Sequence, residues 1–421
     1  MRILGISAYY HDAAAATVID GRIAAAAQEE RSSRKKHDPG FPHRAIRARL
    51  DSAGVAPDEI DLVAFYDKPF LEFERLLETY LAFVPRGFTS FRHALPVWLE
   101  EKLFQKGLLV KERKPLAADV DWAKRLLFSK HHLGHAASAF YPSPFEQAAV
   151  LTMDGVGEWT TTSLALGART ELKVIREIHF PHSIGLLYST FTYYTGFKVN
   201  SGEYKVMGFV PYGESKYAGL IREHLIDVKE DDSYRLNLQY FDYCTGLAMT
   251  NERFDTLFGG PPRRPDAPLT QRDMDLAASI QTVSEEVALK LAGGVARGTG
   301  EKNLCLAGGV ALNCVANGKL LRQGWFERIW LQPAAGDSEG AVGAALVASY
   351  GYGQVQRSLV AIGDGMSGSY LGPAYVQLDI ERRLAAAGAV FEALAVGDCF
   401  LRKDKQNPAL GQRYEGAFEL D

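Results

Sequence analysis

Short apolar runs separated by polar turns open the chain. Residues 2–7 (RILGIS) and 13–18 (AAAATV) read as strands, Asp20-Gly21 is a hairpin signal, and residues 22–28 return as a third strand. A helix is predicted near 43–53, with Ile46, Leu50 and Ala53 on one face, and then a strand at 61–66 (DLVAFY). The same order returns later. Residues 148–153 (AAVLTM) predict a strand ending at Asp154, and TTTSLAL and KVIREIH supply two more. Leu276, Ile280, Val283, Val287 and Leu291 fall at helical spacing. A strand at 303–306 (NLCL) meets Gly308-Gly309, and RIWL at 328–331 meets Gly336-Asp337, each before a predicted helix.

A β-β-β-α-β-α unit that occurs twice argues for two related lobes. That order resembles the actin, sugar-kinase and Hsp70 superfamily, whose members bind nucleotide between two ribonuclease-H-like lobes. The expected fold class is therefore α/β, with lobe one over residues 1–145 and lobe two over 146–352. A helical insert near 70–115 reads as amphipathic helices packing on lobe one. Residues 353–421 read as a short irregular C-terminal extension, with one helix and one strand at 378–395 and an aperiodic polar tail. Fold analogy alone implies nucleotide binding and no particular chemistry.

Composition narrows the class. Hydrophobic residues make up 47% and charged residues 23% of the 421 residues, with a formal net charge of −4. Nothing in this balance suggests a nucleic-acid or anionic-membrane surface. No segment approaches the roughly 20 apolar residues of a membrane span, and His11 and Asp12 interrupt any signal-peptide core. Cys244, Cys305, Cys314 and Cys399 form no CxxC pair, so a reducing, cytoplasmic setting is expected.

The sharpest chemical signal is HHLGHAASAF at 131–140. His131 and His135 stand at i and i+4 on one helical face, a spacing that presents two imidazoles to one metal; His132 points elsewhere. The bland alternative is a helix start with satisfied histidines. Asp154 and Asp337 each end a predicted strand at a glycine turn, where α/β sheets place ligand-binding groups, although Asp337 could equally cap a helix. Two His and two Asp make a mixed donor set suited to Fe²⁺, Mn²⁺ or Zn²⁺, and the residues alone do not choose among them.

LAGGVALNCVANGKL at 306–320 sets Gly308 and Gly309 between a strand and a helix, where free amides favour a phosphate. Asn313 and Asn317 would follow at i and i+4, facing a ribose or base, and Gly336 marks a second such turn. Many such turns carry Gly-Gly for packing alone. His11 and Asp12, Lys36 and His37, and Glu203 and Lys205 put polar groups in loops that could also be ordinary surface.

Taken together, HDAAAA, EERSSRKKHDPGFP, HHLGHAASAFYPSPF, LTMDGVGE, SGEYKVMGFVPYG, LAGGVALNCVANGKL and GDSEGAVGAAL resemble, in order, the carbamoyltransferase family of the nodulation-factor, cephalosporin and tobramycin type, over roughly residues 1–350. The resemblance implies a Kae1-like part that moves a carbamoyl group to an acceptor hydroxyl. It also implies a YrdC-like part that makes carbamoyladenylate from carbamoyl phosphate and ATP. Carried over by motif, His131, His135, Asp154 and Asp337 hold the metal, and His11 and Lys36 lie near the carbamoyl group. Gly308, Gly309, Asn313, Asn317 and Gly336 lie on the nucleotide side. Glu339 departs from the pattern, standing where the family has a small residue; beside a phosphate it would have to face solvent or the metal. The YrdC-type string GRxEFGPRALGxRS has no counterpart here.

The expectation is an O-carbamoyltransferase acting on a small-molecule or sugar hydroxyl. A separate YrdC-like protein and a second copy of the chain are candidate partners. The competing expectations are a metal- and nucleotide-binding homologue without turnover, and a Kae1-like tRNA threonylcarbamoyl-transfer protein.

Overall fold

A computed structural model describes residues 1–360 and 362–392, without the side chains of residues 100–102. The chain forms two compact units, Met1–Gly372 and Pro373–Asp421. Within the second, one helix spans Gln377–Ala386 and the Arg383 guanidinium lies 4.5 Å from the Tyr375 ring centre. The strand expected up to residue 395, Cys399 and the polar tail fall on or run into residues outside those described.

The first unit holds two five-stranded sheets. In the first, β1 (Arg2–Ser7), β2 (Ala14–Ile19) and β3 (Arg22–Gln28) form an antiparallel meander. Asp20 and Gly21 both take positive φ, 48° and 80°, as a two-residue hairpin whose twist matches its strands requires. β4 (Leu62–Phe65) adds parallel to β1, and β5 (Leu126–Phe128) parallel to β4.

The second sheet repeats this order. β6 (Gln147–Met153), β7 (Thr160–Ala168) and β8 (Glu171–His179) form the meander, with a small hairpin of β9 (Ile226–Val228) and β10 (Tyr234–Leu236) apart from it. β11 (Asn303–Ala307) then pairs parallel with β6, and β12 (Arg328–Leu331) parallel with β11. Two copies of one strand order make this a two-lobed mixed α/β fold of ribonuclease-H-like halves. Among the described residues, no helix is long and apolar enough to cross a membrane.

The buried apolar residues fall into two clusters. One joins Ile3, Ile6, Val63 and Phe65 of lobe one to Val150 and Cys305 of lobe two, and the other gathers Leu151, Ile280, Val283 and Leu304. Full burial of such side chains is worth about 1.5–3 kcal/mol each. The helix Gln271–Thr299 buries the apolar face read from the sequence, and its capping box joins Thr270 to Asp273.

Two helices place the site. His131–Phe140 follows β5, and Gly340–Val347 follows β12. Both are rich in small residues, so their backbones nearly touch: a Cβ on Gly343 would lie 2.1 Å from the Gly134 carbonyl oxygen. This approach brings the start of one helix onto the histidines of the other. Gly343→Val must push the two helices apart and is expected to cost about 1–3 kcal/mol as overpacking. Thermal unfolding of the variant, together with its metal affinity, checks this: both should fall.

Two expectations change. The insert forms helices at Pro69–Phe83, Phe88–Val97 and Gln105–Arg113, but it also reaches lobe two. Ser90 Oγ donates to the Thr245 carbonyl, and the Arg75 guanidinium lies 5.1 Å from the Phe180 ring centre. Residues 353–372, read as the start of the extension, belong to the first unit. The reason is Arg357, whose guanidinium donates to the carbonyls of Phe140 (2.8 Å), Tyr141 (3.1 Å), Ser143 (3.0 Å) and Phe145 (2.8 Å). A cation on the last carbonyls of the histidine helix fits that helix's dipole.

Candidate metal centre

The histidine helix begins without a cap from its own N-cap residue. Glu158, four residues beyond Asp154, takes that place. Its carboxylate accepts from the His131 amide through both oxygens (3.0 and 3.1 Å) and from the Lys68 amide (3.1 Å). An anion at a helix N-terminus is favourable, and this one fixes His131 at its backbone. Sequence reasoning quoted Glu158 within its motif but gave it no role.

One turn on, the His135 Nε2 atom stands 2.9 Å from His131 Nε2. Asp154 Oδ2 lies 3.3 Å from His131 Nε2 and 3.6 Å from His135 Nε2, and Asp337 Oδ1 lies 3.7 Å from His131 Nε2. All four residues are buried, and one donor atom from each falls within 4.8 Å of the others. Four donors around one ion at about 2.1 Å stand roughly 3.4 Å apart if tetrahedral. The separations of 2.9–3.7 Å bracket that value, so the donor set suits a divalent metal. Asp154 is held well below the usual carboxylate range: burial opposes its ionisation, but hydrogen bonds from His131 and His135 outweigh burial. His132 turns away, its Nδ1 lying 3.0 Å from Thr152 Oγ1, and burial pushes its pKa well down.

Glu339 resolves the departure noted in the sequence. It is buried away from solvent; its Oε1 lies 2.5 Å from His135 Nδ1 and accepts from the Gly308 amide at 3.3 Å. A carboxylate on the outer nitrogen of a ligating histidine fixes the tautomer and the ring plane. Removing that hold through Glu339→Gln is expected to weaken metal binding by about 10–100-fold. Titration calorimetry with Mn²⁺ measures it, and an unchanged affinity would remove Glu339 from the centre.

The glycine turn after β11 is built differently from the sequence reading. Gly308, at φ 83°, could not carry a Cβ, which would sit 2.4 Å from the Met153 carbonyl oxygen. Its amide goes to Glu339, and the Gly309 amide donates to Asp154 Oδ1 at 2.9 Å. Neither amide is free for a phosphate, because two carboxylates of the centre already occupy them. The helix after the turn starts at Cys314, so Asn313 is its cap and not a partner of Asn317 on one helical face. Asn313 accepts from the Ala316 amide (3.1 Å) and exchanges side-chain bonds with Gln281 (2.8 and 2.9 Å). Asn317 Nδ2 donates to the Ala311 carbonyl at 2.7 Å.

A cavity of about 320 Å³ opens on the centre. His11, Lys36, Asp154 and Asp337 line it, as do Gly309, Asn313 and Gly336, whereas Gly308 and Asn317 do not. The Lys36 ammonium lies 5.4 Å from the Tyr204 ring centre and forms no ion pair among the described residues, so its charge is open to an incoming anion. His11 Nε2 stands 3.2 Å from Asp337 Oδ2. Burial works against the charged imidazole, yet Asp337 and Asp12 outweigh it and raise His11 to about 9. Asn200 Nδ2 reaches across to Tyr10 Oη at 3.2 Å, tying lobe two to the His11 loop. Asn200, at φ 60°, drew no attention in the sequence.

The family described as "Carbamoyltransferase N-terminus" matches residues 2–346. An uncharacterized protein of Synechocystis sp. is 58% identical over 404 residues, covering 94% of this chain and 65% of that protein. Nodulation protein NolNO of Sinorhizobium fredii is 38% identical over 349 residues, covering 83% of this chain and 48% of that protein. The chain thus spans 65% and 48% of the lengths of these two relatives. Among solved structures, component A of the Acidaminococcus fermentans (R)-2-hydroxyglutaryl-CoA dehydratase superposes with a TM-score of 0.41 at 16% identity, covering 84% of this chain and 99% of that one. HypF of T. kodakarensis gives a TM-score of 0.39 at 13% identity, covering 84% and 48%. On the family match across both lobes, this chain belongs to the carbamoyltransferase family, through that family's N-terminal part.

Proposed function

We propose that this chain transfers a carbamoyl group from carbamoyladenylate, made from carbamoyl phosphate and ATP, to a hydroxyl of a small-molecule or sugar acceptor. The observation that carries this reading is the convergence of one donor atom each from His131, His135, Asp154 and Asp337, two of which, Asp154 and Asp337, line the cavity that also holds His11 and Lys36. When bound there, a divalent metal, Fe²⁺ by preference, supplies Lewis acidity toward the carbamoyl oxygen and a template for the donor. Lys36 offsets negative charge on the donor's carbonyl and phosphate oxygens. Gly309, Asn313 and Gly336 shape the nucleotide side of the cavity, while Gly308 and Asn317 act through the neighbours they hold.

His11 Nε2 exchanges a proton with the acceptor hydroxyl. As the acceptor oxygen bonds to the carbamoyl carbon, its proton passes to Nε2 of the neutral His11 imidazole, a form whose share rises as the pH approaches about 9. The bond from that carbon to the adenylate oxygen breaks, and AMP leaves with the electron pair. A YrdC-like activity, on a separate protein or joined to this one, supplies the carbamoyladenylate.

The test uses the purified chain, radiolabelled carbamoyladenylate and a panel of hydroxylated acceptors that includes an aminoglycoside and a chitooligosaccharide. AMP release coupled to label in an acceptor, abolished by chelator and restored by Fe²⁺ or Mn²⁺, is the expected result. Tight binding of metal and nucleotide with no transfer to any acceptor would favour a homologue without turnover.

A further inference from the structure

Outside the four converging donors, a second cluster of polar side chains among the described residues lies where two loops of lobe one meet. Loop 8–13 and loop 35–40 are stitched by two backbone bonds, Tyr9 N–H to the Pro39 carbonyl (2.8 Å) and Ala13 N–H to the Asp38 carbonyl (3.0 Å). Asp12 and His37 both sit in the left-handed region, at φ 54° and 53°, which side chains other than glycine's adopt only when their surroundings hold them there. What holds them is a line of side chains. His11 Nδ1 lies 2.9 Å from Asp12 Oδ2, and His37 Nδ1 lies 2.8 Å from Asp12 Oδ1. The His37 backbone amide donates to Glu30 Oε2 at 2.9 Å.

A carboxylate can only accept hydrogen bonds, so each imidazole presents an N–H at Nδ1. For His11 this leaves the ring's other nitrogen, Nε2, on the side of the cavity, 3.2 Å from Asp337 Oδ2. A carboxylate with one bond could swing; one held at both oxygens cannot. The same logic lets a buried aspartate set the tautomer of a catalytic histidine.

We propose that Asp12 and His37 are positioning residues for His11. Asp12 keeps one proton on Nδ1 so that only the Nε2 proton exchanges with the acceptor, and His37 locks the carboxylate of Asp12 in place. This rests on the carbamoyl-transfer reading for the identity of the acceptor proton, but the positioning itself can be observed without turnover.

The experiment pairs two readouts on the full chain. Nitrogen-15 labelling of histidine side chains, with the His11 signals identified by their loss in His11→Gln, reports which ring nitrogen carries the proton in metal-free and Zn²⁺-loaded protein. Native chain should keep a proton on His11 Nδ1 whether or not Nε2 also carries one, and Asp12→Asn should shift Nδ1 to a mixture of forms. In the AMP-release assay, His37→Ala should lower kcat by about tenfold with KM for carbamoyladenylate unchanged. His37→Asn, whose amide can stand in for the Nδ1 donor, should recover most of the loss. An unaltered His11 signal in Asp12→Asn, or equal losses in His37→Ala and His37→Asn at unchanged thermal stability, would overturn the proposal. Absence of AMP release by the native chain would count against the transfer reading alone, and the nitrogen-15 spectra would still decide the positioning.

Discussion

Asp154→Asn is expected to lower metal affinity by at least about a hundredfold, more than loss of an outer hydrogen bond to a ligand costs, and to stop carbamoyl transfer. The substitution keeps the shape of the side chain and an oxygen for the Gly309 amide, which now donates to Oδ1 at 2.9 Å. It removes the negative charge and one of the carboxylate oxygens facing His131 and His135. The backbone at this point is pinned independently: the Asp154 amide donates to the Thr161 carbonyl at 2.9 Å, and the Asp154 carbonyl accepts from Ser183 Oγ at 3.0 Å. Fold and thermal stability should therefore change little while calorimetric metal binding falls. His135→Ala would be a poorer probe. It would strand the buried Glu339 carboxylate, a loss that itself costs about 3–5 kcal/mol when a buried charge is left unpaired.

Lys36→Met carries the second large effect. The methionine keeps much of the aliphatic stem and removes the charge. Lys36 lies at an exposed position yet lines the cavity with no anionic partner among the described residues, so its removal disturbs no ion pair of the fold. If its work is to meet charge that develops on the donor, kcat should fall by about 10²–10³, the usual effect of deleting such a group. Metal affinity and melting temperature should stay where they are. A steady-state comparison with carbamoyladenylate measures this; a change confined to KM would make Lys36 a donor-binding group only.

The strand order and most helix positions were legible because each lobe pairs apolar runs of the right length with turn residues in the right places, down to Asp20-Gly21. The His131–His135 pair was legible because i and i+4 share a helix face, and Asp154 and Asp337 because each follows a strand. What the sequence hid depended on contacts between distant segments. Nothing local says that the amides of Gly308 and Gly309 serve Glu339 and Asp154 and not a phosphate. That outcome follows from the close packing of Gly134 against Gly343, which carries Glu339 to His135. Asn313 looked like a ligand-facing residue one turn from Asn317, but the helix begins a residue later and Gln281, from another helix, holds it. Arg357 looked like part of a loose extension, and only the fold shows that it caps the histidine helix.

The measurement that bears most directly on the metal centre is an anomalous-difference map of the crystallised chain grown with Mn²⁺. One strong peak is expected, about 2.0–2.3 Å from His131 Nε2, His135 Nε2 and an oxygen of each of Asp154 and Asp337. No peak there, or a peak only at the other donor group of Asp12, Glu30 and His37, would contradict the account.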